Sequence, residues 1–157
     1  MTSTRNLLIL LAAAGSVAVL LGALGFQYLG DLPPCKLCIY QRWPHVAAVV
    51  IALGALGTRG PALPVLGALA ALSTAVIGAY HTGVERGWWE GPTSCTASGS
   101  VTGMSTDDLL NQIMNAEIQR CDDVLWDLFG LSMASWNTIA SLVFMALWLW
   151  AALKSRA

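Results

Sequence analysis

Long apolar runs, broken at three places by proline, glycine and charge, set the pattern of this chain. The runs fall at about residues 7–28, 39–57, 63–80 and 136–153. Each approaches the roughly 20 apolar residues needed to cross a bilayer as a helix. None alternates as a half-buried strand does, and a spanning segment must satisfy its own backbone polar groups, so helices are predicted. The expected fold class is an all-α membrane protein, a four-transmembrane-helix bundle forming one integral domain over residues 1–157. Its connections are a short first loop at about 29–38, a tight turn at Thr58-Arg59-Gly60-Pro61, and a long second loop at about 82–135. In the long loop, Ser105-Thr106-Asp107-Asp108 has the form of a helix N-cap with acid in the first turn. Leu109, Leu110, Ile113 and Met114 follow as a narrow apolar stripe, too short to span. That pattern predicts a short helix in the membrane interface or against the top of the bundle, and the interfacial placement is the expectation adopted.

Composition supports a membrane protein. The chain is 56% hydrophobic and 11% charged, against about 25% charged in soluble domains. The first run exceeds the apolar core of a removable signal sequence and lacks a clear small-x-small cleavage site, so it reads as a retained span. Charge sets the orientation. Arg5, Arg59, Lys154 and Arg156 lie at the two termini and in the short turn, where no acid occurs. Every acidic residue falls in the other two loops, together with Lys36, Arg42, Arg86 and Arg120. The basic residues divide equally, and the short, purely basic turn decides: both termini are expected in the cytoplasm. All four cysteines then face outward, where disulfides persist. Trp88, Trp89, Trp126 and Trp136 near one boundary, with Trp148 and Trp150 near the other, read mostly as an interfacial aromatic belt.

The cysteines carry the candidate chemistry. Cys35-Lys36-Leu37-Cys38 precedes the second span. A CxxC pair becomes a redox device when positive charge or a helix N-terminus stabilises its thiolate. Arg42 follows Cys38 by four residues, which is one helical face. Pro33 and Pro34 forbid helix before Cys35. Pro44 is tolerated in a first turn, so a regular helix starting near Trp43 is the competing expectation. Cys95 and Cys121 lie in the long polar loop, and a disulfide between them could be structural or exchangeable; loop mobility favours exchange. Zinc is not expected, because only one close-spaced pair exists. Haem is not expected, because Ile39 stands where CxxCH needs histidine. A cation near a helix end in the bilayer is a functional candidate, so Arg42 is assigned to the site. His81, at about the same depth, could donate a hydrogen bond or a proton there. His45 reads as packing, and Glu85 and Glu90 as solvated loop charges.

Cys35-Lys36-Leu37-Cys38-Ile39-Tyr40-Gln41-Arg42 resembles the DsbB-type disulfide bond formation proteins of bacteria. So do Tyr80-His81-Thr82, and Cys121 followed by Trp126-Asp127-Leu128-Phe129-Gly130-Leu131, Met133 and Trp136. The vitamin K epoxide reductases have the reverse order of cysteine pairs. The resemblance implies an inner-membrane enzyme, a quinone-dependent oxidoreductase that generates disulfides. Its electron source would be a periplasmic DsbA-like thioredoxin-fold dithiol, and its acceptor ubiquinone or menaquinone. Cys95 would be attacked by the partner, Cys121 would attack Cys35, and Cys38 would be released beside the quinone, held by Arg42 and His81. No nucleic-acid partner is implied. The alternative is a non-catalytic four-span scaffold whose outer loops are stapled by structural disulfides.

Overall fold

The computed structural model describes residues 3–92, 105 and 120–155. Four helices dominate it: α1 (Thr4–Tyr28), α2 (Lys36–Gly57), α3 (Ala62–Glu85) and α4 (Met133–Lys154). All four are long and apolar enough to cross a membrane. Helices α1 and α3 each pack against both α2 and α4, closing a ring of four neighbours. The protein is a four-helix membrane bundle. The 105–117 segment, where a short interfacial helix is expected, lies outside the described residues apart from Ser105.

The bundle interior is built from small side chains. Ala12, Ala48, Ala52, Ala55, Ala68 and Ala71 are buried, while Leu21, Val50, Leu53 and Leu69 stand exposed on the outer surface. Lipid solvates leucine as well as a protein core does, so helices in a bilayer gain by close backbone approach rather than by hiding large apolar groups. Gly67 shows the consequence. A Cβ there would sit 2.5 Å from the Trp148 ring, and Trp148 is fully buried against this gap. Trp148 is therefore a core plug and not part of an inner aromatic belt; Trp150 remains exposed.

The ends of the bundle differ. At one end, Arg5 donates to Ser155 Oγ at 2.7 Å and to the Ala55 carbonyl at 3.0 Å. It thereby ties α1 to the C-terminal turns of α2 and α4. The other end carries the cysteines. There, α2 begins at Lys36 with Cys35 as its N-cap, the Cys35 sulfur accepting from the Cys38 N–H at 3.2 Å. The helix runs through Pro44. The competing late start near Trp43 is thus set aside: the cap stabilises the first turn, and one missing donor at residue 44 does not end a helix held by its neighbours. In the turn before that proline, the Gln41 carbonyl accepts a further hydrogen bond from Thr74 Oγ1 at 2.9 Å.

A two-residue hairpin links the second loop to α4: β1 (Asp127–Leu128) pairs antiparallel with β2 (Leu131–Ser132). Phe129 and Gly130 form its turn with φ of 56° and 74°. Two positive φ values suit the primed turns that match strand twist. Trp136 Nε1 donates to the Leu128 carbonyl at 3.2 Å, and Arg86 to that of Gly130 at 3.4 Å, fixing the hairpin over the ends of α3 and α4.

Candidate active site

Cys35, Cys38, His81 and Cys121 meet at the loop end of the bundle. The N-cap position of Cys35 and the first turn of α2 bring the two sulfurs to 2.9 Å, with Cys35 donating to Cys38. Both are free thiols here, as is Cys121. The hydrogen bond to Cys38, together with burial, holds the Cys35 thiol well above the ordinary thiol range. Cys35 therefore keeps its proton, and Cys38 is the acceptor of the pair. Cys121 is buried and packs in one cluster with Cys35, Leu37 and Val84, with Cys38 against it. The second loop thus brings Cys121 into the same buried cluster as the CxxC pair. Cys95 lies outside the described residues.

His81, one turn before the end of α3, is buried among them. Its Nε2 lies 3.6 Å from the Cys35 sulfur and 3.1 Å from the Cys121 carbonyl. Its Nδ1 faces Gln41 Nε2 at 2.9 Å. Glu85 lies one turn further on, with Oε1 3.8 Å from His81 Nε2. The expectation of a solvated Glu85 is corrected. Helix α3 extends to Glu85, its side chain is 7% exposed, and it accepts a hydrogen bond from Ser132.

Arg42 projects from the same helix as Cys38. Its bonds among the described residues run to α1, to Gln27 Oε1 at 2.6 Å and the Ala23 carbonyl at 3.4 Å. None goes to the Cys38 sulfur. Both residues instead line a cavity of about 390 Å³ whose remaining wall is mostly apolar, with Val19, Phe26, Met133 and Trp136 among its members. Cavities of this size accommodate small organic ligands. Cys35, His81 and Glu85 also reach this wall.

Cys35, Cys38 and His81 place two sulfurs and a ring nitrogen within 4.8 Å of one another. Such a set suits a soft metal ion when each atom offers a lone pair. Here His81 Nδ1 accepts from the Gln41 amide, so Nε2 carries the hydrogen and donates it to the Cys121 carbonyl. The nitrogen of the cluster is therefore a donor in this arrangement and not a ligand.

Gln41, His45 and Asn137 were not identified as site residues from sequence, yet they continue the site inward. Asn137 Nδ2 donates to Gln41 Oε1 at 2.7 Å and to Thr74 Oγ1 at 3.1 Å. His45 joins Asn137 Oδ1 at 2.9 Å and Ser16 Oγ at 3.3 Å. The available signal was polarity inside apolar spans, which in a bilayer is costly enough to mark function.

Fold and site together define a four-span membrane protein with a dithiol and an apolar cavity at one end of its bundle. Comparison with known proteins agrees. A family described as Disulfide bond formation protein DsbB matches residues 5–151, and the chain belongs to this family. The chain is 33% identical over 143 residues to Disulfide bond formation protein B 2 of Pseudomonas aeruginosa, covering 86% of this chain and 82% of that one. Disulfide bond formation protein B of Alkalilimnicola ehrlichii is 31% identical over 147 residues, covering 87% and 86%. An uncharacterized Rickettsia prowazekii protein, RP370, is 28% identical over 127 residues, covering 77% and 74%. No match to a solved structure was found. The protein is thus a multi-pass disulfide bond formation membrane protein, and its family implies thiol oxidoreductase chemistry.

Proposed function

We propose that this protein reoxidises a periplasmic DsbA-like dithiol and delivers the electrons to a membrane quinone of the ubiquinone or menaquinone type. The observation that carries this reading is the meeting of Cys121 with Cys35 and Cys38 beside an apolar cavity that Cys38 and Arg42 both line. A folded thiol donor cannot enter the bilayer, and a lipid-soluble acceptor hardly leaves it. Two dithiol pairs acting in sequence bridge that separation.

The thiol chemistry balances as follows. One partner thiolate attacks Cys95 of a Cys95–Cys121 disulfide, forming a mixed disulfide and releasing Cys121 as a thiolate. Cys121 attacks Cys35 of the Cys35–Cys38 disulfide, and Cys38 leaves as a thiolate. The partner's second thiolate attacks its own sulfur in the mixed disulfide, leaving as a disulfide and freeing Cys95. Cys95 then attacks Cys121, restoring the loop disulfide and releasing Cys35. The net result is an oxidised partner and a Cys35–Cys38 dithiol that has gained two electrons and two protons.

A quinone supplies the final two-electron, two-proton acceptor when bound. The cavity fits one: its volume and mostly apolar wall suit a ring with a lipid tail, and the Arg42 guanidinium offers donors to a carbonyl oxygen. Cys38, the pair's hydrogen-bond acceptor, lines this wall, while the retained proton sits on Cys35. His81 keeps an N–H at the junction of Cys35 and Cys121. Purified protein given a reduced thioredoxin-fold donor should consume quinone. Absence of quinone reduction, with loop disulfides that merely resist mild reductant, would favour the structural scaffold.

A further inference from the structure

We infer that Asn137, Gln41 and His45 are positioning residues: they form a one-way hydrogen-bonded chain that sets the His81 tautomer and so holds the Cys121 segment against Cys35. The direction of the chain follows from acceptors that have no alternative. Gln41 Nε2 lies 3.2 Å from the Leu37 carbonyl, which can only accept. That places the amide nitrogen toward Leu37 and His81, and Oε1 toward Asn137. Asn137 must then donate through Nδ2, leaving Oδ1 to accept from His45 Nε2–H. His45 Nδ1 is left to accept from the Ser16 hydroxyl. At the far end, the Cys121 carbonyl is a second obligate acceptor. It requires His81 to carry its hydrogen on Nε2, which is the tautomer that the Gln41 amide independently imposes. Two backbone carbonyls at different points of the chain thus demand the same direction.

The chain runs from α1 to α2, across to α4, back to α2 and on to α3 before it reaches the second loop. Ser16, Gln41, His45, Thr74 and His81 are all buried. Its carboxamides cannot readily pass a proton along, because each would have to become an imidic acid. Both Asn137 Nδ2 hydrogens are engaged, as is the His45 Nε2 hydrogen in this tautomer, so neither is a spare donor for a cavity ligand. What the chain can do is orient. A His81 ring with hydrogen on Nδ1 would face the Gln41 amide donor to donor and would present a lone pair to the Cys121 carbonyl. Both contacts would be lost, and with them a bond that seats Cys121 beside its target.

The functional half of this inference rests on the relay proposed above, and the test separates the two. Full-length protein, reduced and in lipid nanodiscs, is labelled with ¹⁵N-histidine, and the ring nitrogens of its two histidines are read by long-range ¹H–¹⁵N correlation. Wild type should show both rings as Nε2–H. Asn137→Leu leaves Gln41 Oε1 without its donor, so the amide is no longer held toward Leu37 and His81; His81 should then populate a mixture of tautomers, as it should more weakly in His45→Leu. His45→Gln keeps an N–H toward Asn137 and should preserve the wild-type pattern. In parallel, reduction of the Cys35–Cys38 disulfide by a reduced thioredoxin-fold donor is followed in a quinone-free single turnover by acid quench and alkylation. Asn137→Leu should slow this step about fivefold, the effect of one lost hydrogen bond, His45→Leu should slow it less, and His45→Gln should recover what His45→Leu loses. A wild-type His81 protonated on Nδ1 would overturn the inference, whether or not any variant folds. So would a folded Asn137→Leu protein with unchanged tautomer and unchanged rate. A changed tautomer with an unchanged rate would refute the seating of Cys121. A wild-type protein that never accepts electrons from the donor sinks the relay instead, while the spectrum still decides the direction of the chain.

Discussion

Cys35 donates its thiol hydrogen to the Cys38 sulfur across 2.9 Å, and the two residues of the pair are therefore chemically unequal. Cys35 is buried and held in its protonated form, while Cys38 is half-buried and lines the cavity. In the proposed relay, attack from the second loop falls on Cys35, which shares a buried cluster with Cys121, and Cys38 is left facing the cavity.

This inequality predicts different reactivities. In a Cys35→Ser protein the serine hydroxyl can still donate to Cys38, which keeps its access to the cavity. In a Cys38→Ser protein the remaining Cys35 is buried. A small membrane-permeant alkylating reagent should modify Cys38 at least about tenfold faster than Cys35, the equivalent of one pKa unit in thiolate population. In reduced wild type, alkylation at Cys35 should stay low through the range where a free thiol of pKa about 8.5 titrates, because its pKa is raised and the proton is retained as pH climbs. Equal rates for the two single-cysteine proteins would contradict this assignment.

Gly78 yields a packing prediction. A Cβ at this position would lie 2.5 Å from Thr138 Oγ1 and 3.1 Å from both the Ala134 carbonyl and Gln41 Oε1. Gly78→Ala must part α3 from α4 and displace the Gln41 amide. A cost of about 1–3 kcal/mol is expected, as for other overpacked interiors. Thermal unfolding in detergent should shift down by several degrees. Gly25→Ala is the control, since a Cβ there meets nothing within 4 Å and alanine favours the helix. A Gly78→Ala melting temperature at or above that of wild type would show that the helices do not approach this closely.

The four spans were legible because about 20 apolar residues in a row admit few alternatives, and the Cys35–Cys38 pair was legible because its spacing is local. Other features depended on facing partners. Gln41 and Asn137 are 96 positions apart in sequence, and no periodicity relates them. Trp148 sits at the depth of an inner belt, and only its rotation toward Gly67 makes it core. Glu85 looked solvated because the apolar run fades near residue 80, whereas α3 continues one further turn under the hairpin. Pro44 argued for a late helix start. The cap made by Cys35 itself is what allows the earlier one.

Orientation gives a third prediction. Arg5, Arg59 and Lys154 lie at the bundle end opposite the cysteines, in segments without acid. By the positive-inside rule, both termini are expected in the cytoplasm and the cysteines in the periplasm. A tag after Ala157 should be inaccessible in intact cells and accessible once the inner membrane is permeabilised. After mild reduction, an impermeant thiol reagent should label the second loop from outside. Labelling of the tag in intact spheroplasts would reverse the topology.

The division of labour between the cysteine pairs is the fourth. Cys95→Ala should block electron entry from the partner while added quinone still forms the Cys35–Cys38 disulfide. Cys38→Ala should abolish quinone reduction. Full turnover by Cys95→Ala at ordinary partner concentration would refute the order of the relay.

Arg42 separates binding from thiol chemistry. Its guanidinium is tied to Gln27 and the Ala23 carbonyl on α1, which fixes the charge on the cavity wall without a bond to Cys38. If that charge holds a quinone oxygen, Arg42→Met should raise the quinone KM by about tenfold or more, the scale of a lost charge-assisted hydrogen bond. Exchange between Cys121 and Cys35 should be nearly unchanged, because no hydrogen bond from Arg42 reaches either sulfur among the described residues. Arg42→Lys should be milder in KM, keeping the charge but losing the planar fork that spans Gln27 and Ala23. Losing the tie to α1 should lower the melting temperature only slightly, since α1 also packs along α4. A Cys35→Ser background adds an optical check: Cys38 is then unpaired beside the cavity, and a thiolate–quinone charge-transfer band should appear on adding quinone and weaken with Arg42→Met. An unchanged band together with an unchanged KM would reduce Arg42 to an anchor between α1 and α2 and remove it from the site.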